Sequence, residues 1–255
     1  MNNGLWSSVK DNVVFVLVSV SVAAALFGIA YLTEKICKKK SGNEERILNT
    51  RKVVMIGVFS AISAVLMLFE FPVPFAPSFY ELDFSEIPAL IGAFAFGPVA
   101  GVMIEFCKIL LILFIKGTST AFVGELANFV IGCSFILPAS VIYLIKKTRK
   151  NAITASVAGT LVMTVFGTMF NAVYLLPAFA SLYGMPLDVI VGMGTAVNAS
   201  ITSVTTLVIF AVAPLNLIKG GSVSLVTMLV YKKLSPILKE AVIQGKKPAT
   251  LKAGN

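Results

Sequence analysis

Long apolar runs, broken at intervals by short polar or basic segments, dominate the 255-residue chain. Runs of about 18 or more apolar residues are long enough to cross the hydrocarbon core of a bilayer as helices. The first run predicts an isolated helix near 12–32, followed by a charged linker over 33–49. Six further helices are predicted at 52–70, 85–97, 99–116, 121–145, 152–182 and 203–233. The second of these is near the lower limit for a span, and Gly97-Pro98 joins it to the third through a tight turn. The segment 183–202 mixes Gly, Pro, Asp and Asn with apolar residues and predicts an external cap containing a short surface helix. The fold class is therefore an all-α, polytopic membrane protein. It comprises an N-terminal transmembrane anchor and charged linker (1–50), a six-helix core (51–239) and a C-terminal tail (240–255).

Composition agrees: 57% of residues are hydrophobic and 13% charged, a balance that no soluble domain of this size needs. The net charge of +9 would suit a polyanion partner were it spread over a surface. Instead the basic residues cluster at the ends of apolar segments, around Lys35–Lys52, Lys146–Lys150 and Lys232–Lys252. The positive-inside rule places all three clusters in the cytoplasm, so the charge encodes orientation and not nucleic-acid binding. The core N- and C-termini are then cytoplasmic in the cell membrane and the extreme N-terminus external. The loop after Phe71, with Glu81, Asp83 and Glu86 and no basic residue, is external too. A cleaved signal peptide competes for the first helix, but the weakly positive start and strongly basic flank favour an uncleaved anchor. Cys37, Cys107 and Cys133 lie far apart in a chain without histidine, so they read as packing residues, and no metal is expected.

Four polar or aromatic segments interrupt the apolar pattern. FPVPFAPSFY, from Phe71 to Tyr80, is stiffened by Pro72, Pro74 and Pro77 and offers ring faces from Phe75 and Phe79, as suits a flat ligand; an interfacial aromatic anchor is the plainer alternative. GELANF, FNAVYLLP and PLNLIKG place Glu125 with Asn128, Asn171 with Tyr174, and Asn216 with Lys219, each pair three apart and so on one helix face. These pairs either staple helices together or converge on one external pocket beneath the proline loop. Lys219 costs on the order of 3 kcal/mol at membrane depth without a partner. On the first core helix Gly57, Ser60, Ala61 and Ala64 form a stripe of small residues that predicts close helix packing, inside the chain or against a partner. The chain has no G-x-x-x-x-G-K-[ST], no histidine and no G-x-S-x-G, and its membrane acids Glu70, Glu105 and Glu125 make no metal-binding cluster, so it is not expected to be an enzyme.

From Arg51 to Lys239 these motifs, in this order, resemble the riboflavin-specific substrate-binding subunits (S components, RibU family) of energy-coupling factor vitamin transporters. The segments that carry the resemblance are FPVPFAPSFYELDFSEIPALIGAFAFGPVAG, GTSTAFVGELANFVIG, FNAVYLLP and PLNLIKGGSVSLVTMLVYKKLSPILK. The resemblance implies a six-helix fold with an external flavin pocket, and as partners a transmembrane coupling subunit and two cytoplasmic ATPases. Riboflavin would be transported cargo and not a cofactor. Phe75, Ala76, Pro77 and Phe79 would form an apolar slot, and Glu125, Asn128, Asn171, Tyr174, Asn216 and Lys219 the polar contacts. The family's A-x-x-x-A contact with the coupling subunit would fall on Gly57, Ser60, Ala61 and Ala64, where this chain reads G-x-x-x-A overlapping S-x-x-x-A. Alternatives are another vitamin or flavin mononucleotide as cargo, or an autonomous secondary transporter; the latter would call for inverted repeats and a midplane ion site, and neither is visible. The additional first helix lies outside the resemblance.

Overall fold

The computed structural model describes residues 13–40, 42 and 46–243, with side chains placed from 17 to 231 among them. The first basic residue, the C-terminal lysines and the external N-terminus expected above lie outside those residues or side chains. The elements in order are α1 (Val13–Lys40), α2 (Thr50–Met67), a two-residue hairpin of β1 (Phe71–Pro72) and β2 (Glu81–Leu82), α3 (Glu86–Phe96), α4 (Pro98–Lys116) and α5 (Val123–Ile145). α6 (Arg149–Phe170) passes through a π segment (Asn171–Leu175) into α7 (Leu176–Tyr183). α8 (Leu187–Val197) precedes α9 (Val204–Leu207), which runs through a second π segment (Val208–Val212) into α10 (Ala213–Ile243).

Six of these helical stretches are long and apolar enough to cross a membrane. Their outward faces carry exposed Val54, Val65, Val157, Leu161, Val165, Leu225 and Leu229, which suits a hydrocarbon solvent and not water. α3 is different: 11 residues reach only about 16 Å against a core of about 30 Å. It stands at the centre, packed on α2, α4, α5 and α10, and the main apolar core forms around it from Leu90, Phe94, Ile104, Phe135, Ile136 and Met163. Its short length is made up by the chain before it, since the loop over 71–85 descends from the hairpin into the bundle.

The local chemistry explains the boundaries. Asn49 caps α2 by accepting from the Lys52 backbone N–H at 2.9 Å. Asn151 donates to the carbonyls of Ile142 at 2.6 Å and Lys146 at 2.8 Å, satisfying the end of α5 and fixing the turn into α6. Gly159 lets α6 close on α5, because a Cβ there would lie 2.7 Å from the Phe135 carbonyl oxygen. α5 starts at Val123, two residues later than expected, since Ala121 and Phe122 adopt left-handed backbone with φ of 45° and 72°.

The first helix departs from expectation twice. It is not isolated, and it continues through the first part of the expected linker to Lys40. Val22, Ala23, Leu26 and Phe27 pack beside α4 and α5, with the Phe27 ring edge-on to Phe106 at 5.6 Å. Glu34 is fully buried and accepts from the Val99 backbone N–H at 3.1 Å, so a carboxylate from α1 caps the N-terminus of α4. Lys38 pairs with its other oxygen at 3.2 Å. Gly97, with φ of 110°, is required twice over: for its backbone, and because a Cβ would fall 2.7 Å from the Glu34 carboxylate. Pro98 follows at the first turn, where no N–H is lost.

Truncating Glu34→Ala removes the cap and leaves the Val99 N–H unpaired, and should destabilise the detergent-solubilised protein by on the order of 2 kcal/mol. Glu34→Gln, which keeps an acceptor, should cost less. An unchanged unfolding midpoint for Glu34→Ala would show that α1 docks through its apolar face alone.

Candidate functional site

A cavity of about 820 Å³ opens at the end of the bundle opposite the basic clusters. Its walls are largely apolar, with Met67 and Ile112 on one side, Ala127 and Ile131 on α5, Leu175 and Leu176 on α6–α7, and Val212 and Leu215 on α10. Ile190 and Met193 of α8 close it from above, so the expected surface helix forms the roof. Both π segments border it: Asn171 and Leu175 from the first, Val212 from the second. Wide turns of this kind rotate the following side chains relative to a regular helix and recur at functional sites. The left-handed turn at Ala121–Phe122 is a third departure at the same rim. Thr118 Oγ1 accepts there from the Phe122 N–H at 2.9 Å, and Thr120 Oγ1 accepts from Gly124 N–H at 3.0 Å while donating to Glu125 at 2.8 Å.

Of the expected ligand residues, Phe79, Glu125, Asn128, Asn171, Asn216 and Lys219 line this one cavity. Asn171 donates to the Gly167 carbonyl at 2.8 Å and accepts from the Tyr80 hydroxyl at 3.0 Å. Asn128 donates to the Gly124 carbonyl at 3.3 Å. Asn216 lines the cavity, and its buried amide nitrogen has no hydrogen-bond partner and lies against α6, where a Cβ on Gly167 would fall 2.7 Å from it. Burial raises the Tyr80 phenol above its ordinary value, which keeps it a donor.

Phe75, Ala76, Pro77 and Tyr174 do not line it. Ala76 and Pro77 are buried, and Ala76 and Phe75 pack with Val73, Leu82 and Leu176 in the apolar cluster behind the cavity wall; of the proline loop only Phe79 and Tyr80 face the cavity. Tyr174 stacks on Phe170 at 5.2 Å. Three-residue spacing puts side chains on one face of an α-helix, but Asn171 and Tyr174 sit in a π segment, where the wider turn separates them. The small-residue stripe also divides. Gly57 and Ala61 are exposed, whereas Ser60 and Ala64 are buried inside the bundle.

The floor is an ion cluster. Lys219 Nζ lies 2.8 Å from Asp83 and 3.1 Å from Glu86. Lys108, fully buried in α4, lies 2.6 Å from Glu105, 3.4 Å from Glu86 and 3.0 Å from Ser85 Oγ. Asp83 also accepts from the Ser85 backbone N–H at 2.7 Å, shaping the start of α3. Burial alone would raise the Asp83 carboxyl; the Lys219 ammonium and then Lys108 outweigh it and hold Asp83 well below the usual carboxylate range. At the mouth, Lys116 pairs with Glu70 at 2.6 Å, and partial burial together with Glu70 pushes Glu81 up. Glu105 and Lys108 carry the same three-residue spacing as the three polar pairs above, and Asp83 and Glu86, expected in an external loop, come down to meet Lys108 and Lys219.

The comparisons agree with this architecture. The family described as "ECF transporter, substrate-specific component" matches residues 51–231. The riboflavin transporter RibU of Staphylococcus aureus (strain TCH60) is 38% identical over 201 residues, covering 77% of this chain and 98% of that protein. The riboflavin transporter FmnP of Bacillus subtilis (strain 168) is 31% identical over 194 residues, covering 76% and 96%. A solved structure described as "Structure and mechanism of the S component of a bacterial ECF transporter" superposes with a TM-score of 0.58 at 36% identity, covering 74% of this chain and 97% of that one. The family match begins at residue 51, after α1.

Replacing Lys108 by Met strands buried carboxylates without their counter-charge and should cost about 3–5 kcal/mol of stability, read as a lowered unfolding midpoint. A midpoint within experimental scatter of the parent would mean that the cluster is neutral without this lysine.

Proposed function

The chain belongs to the substrate-specific components of ECF transporters, and we propose that it binds riboflavin in the cavity at the outer face of the cell membrane and passes it on with partner subunits. The observation that carries this reading is the cavity's composition: largely apolar walls around about 820 Å³, lined also by the Asn128, Asn171 and Asn216 carboxamides and Lys219. A polyhydroxylated flavin needs that combination of slot and hydrogen-bonding edge. Phe79 and Tyr80, 4.6 Å apart at the rim, offer ring faces to it. The basic clusters at the opposite end support an outward-facing cavity.

In this reading the protein performs no chemistry. A transmembrane coupling subunit and two cytoplasmic ATPases supply the energy, and the coupling subunit docks where Gly57 and Ala61 lie exposed on α2. A Cβ on Gly57 would meet nothing within 4 Å, so that face is open to a closely approaching helix. Ser60 and Ala64 serve the subunit's own packing.

Asn216→Ala should weaken riboflavin binding by about 1–3 kcal/mol, because it removes a polar group that lines the cavity, and should lower the unfolding midpoint only slightly, through the space it leaves against Gly167 of α6. Lys219→Ala should weaken binding and lower stability together, since Asp83 and Glu86 lose their ion partner. Lys146→Ala, at the other end, should change neither. Flavin fluorescence quenching on the purified variants decides this, and Asn216→Ala binding as tightly as the parent would place the cargo elsewhere.

The docking face has its own test. Gly57→Leu or Ala61→Leu should leave riboflavin binding near the parent value while impairing uptake in cells. Equal loss of both would put these residues inside the subunit.

A further inference from the structure

The charges at the cavity floor do not balance. Two ammonium groups, Lys108 and Lys219, face three carboxylates, Asp83, Glu86 and Glu105, and all five residues are buried. Among the described residues no other lysine or arginine forms an ion pair with these carboxylates. The remaining neighbours are uncharged: Ser85 from the loop, Gly132 and the buried Cys133 thiol from α5. An uncompensated negative charge within the membrane-embedded core is strongly disfavoured, as a buried ion that has lost its partner is. Three carboxylate oxygens of the cluster, Glu86 Oε2 and both Glu105 Oε1 and Oε2, are buried with no hydrogen-bond partner.

We propose that the cavity floor is a proton-binding site, in which Glu105 carries one proton and cargo binding is linked to its uptake. Glu105 is the group that holds it for three reasons. It touches one ammonium, Lys108, whereas Glu86 Oε1 is shared by both lysines. Its contact with Lys108 at 2.6 Å is off the line of a hydrogen bond. It is fully buried against α5, where a Cβ on Gly132 would fall 2.5 Å from Oε2. With Glu105 neutral, Lys108 balances Glu86 and Lys219 balances Asp83. The proton comes from water and no covalent step is involved.

The link to cargo rests on the flavin reading above. Glu86 and Lys219 border the cavity, and Glu105 lies behind them through Lys108. A bound, uncharged ring displaces the water over this floor and lowers the local dielectric, so the form with the extra negative charge is disfavoured more with cargo than without. The protonated protein therefore binds better. Affinity is full at low pH and declines as pH rises through the range where the empty floor loses its proton.

The test is riboflavin titration calorimetry on the purified full-length protein from about pH 6 to 9, in buffers of different ionisation enthalpy. The expected result is proton uptake on binding and a dissociation constant that rises with pH, by up to about tenfold per unit. Glu105→Gln, which mimics the neutral carboxyl, should match the parent at the acid end and show no pH dependence or proton uptake. Without cargo, the infrared spectrum of the parent should contain a protonated-carboxyl band that shifts in D₂O and is absent from Glu105→Gln. Absence of that band overturns the proton; a band with pH-independent binding overturns the link to cargo. A pH dependence that persists in Glu105→Gln, or a response to sodium at fixed pH in its place, overturns the assignment to Glu105. If riboflavin fails to bind at any pH, the flavin reading falls, and the infrared band still decides the proton.

Discussion

Five ionisable side chains buried in a membrane-embedded bundle are the constraint on which the rest of this structure depends. A lysine or carboxylate there is tolerable only when its partners are held within hydrogen-bond distance, so Lys108 on α4 and Lys219 on α10 dictate where Asp83 and Glu86 must be. That requirement pulls the loop after β2 down into the bundle and sets the start of α3 below the membrane surface. The short central helix, the descending loop and the space above them follow from one electrostatic demand. The cavity is the volume left over a floor that cannot rise.

The walls above that floor are shaped by departures from regular helix. The π segments at Asn171–Leu175 and Val208–Val212 and the left-handed Ala121–Phe122 turn all fall at the cavity's edge. Each would be a cost in an ordinary span. Here they direct Asn171, Val212 and Thr120 inward, and neighbouring backbone groups are satisfied by Thr118, Thr120 and Asn171 side chains. The apolar core around α3 packs beside these irregularities, so the cavity and a closely packed bundle share the same helices.

The additional helix α1 is fastened by a similar economy of charge. A buried carboxylate at Glu34 meets the N-terminus of α4, where free backbone N–H groups and the helix dipole both favour an anion. The same helix α4 carries Glu105 and Lys108 farther along, so α1 is attached to the element that builds the cavity floor. The family match begins after α1, at residue 51.

Membrane class, the approximate helix positions and the family were determined by the chain's own letters, because apolar length, the placement of lysines and ordered motifs are local properties that survive without coordinates. Spacing also grouped Glu125, Asn128, Asn171, Asn216 and Lys219 toward one end, where the structure has them lining one cavity. Tyr174 stands apart from them through a change of helical pitch that no residue type announces. The loop residues Phe75 and Ala76 turn inward onto Leu176, Ile190 and Leu215, partners far along the chain. Glu34 and Lys108 acquired their roles from partners 65 residues away in one case and 22 or 23 in the other, on neighbouring elements. Burial and charge balance belong to the assembled bundle: they depend on which side chains meet across helices, and only the tertiary structure decides that.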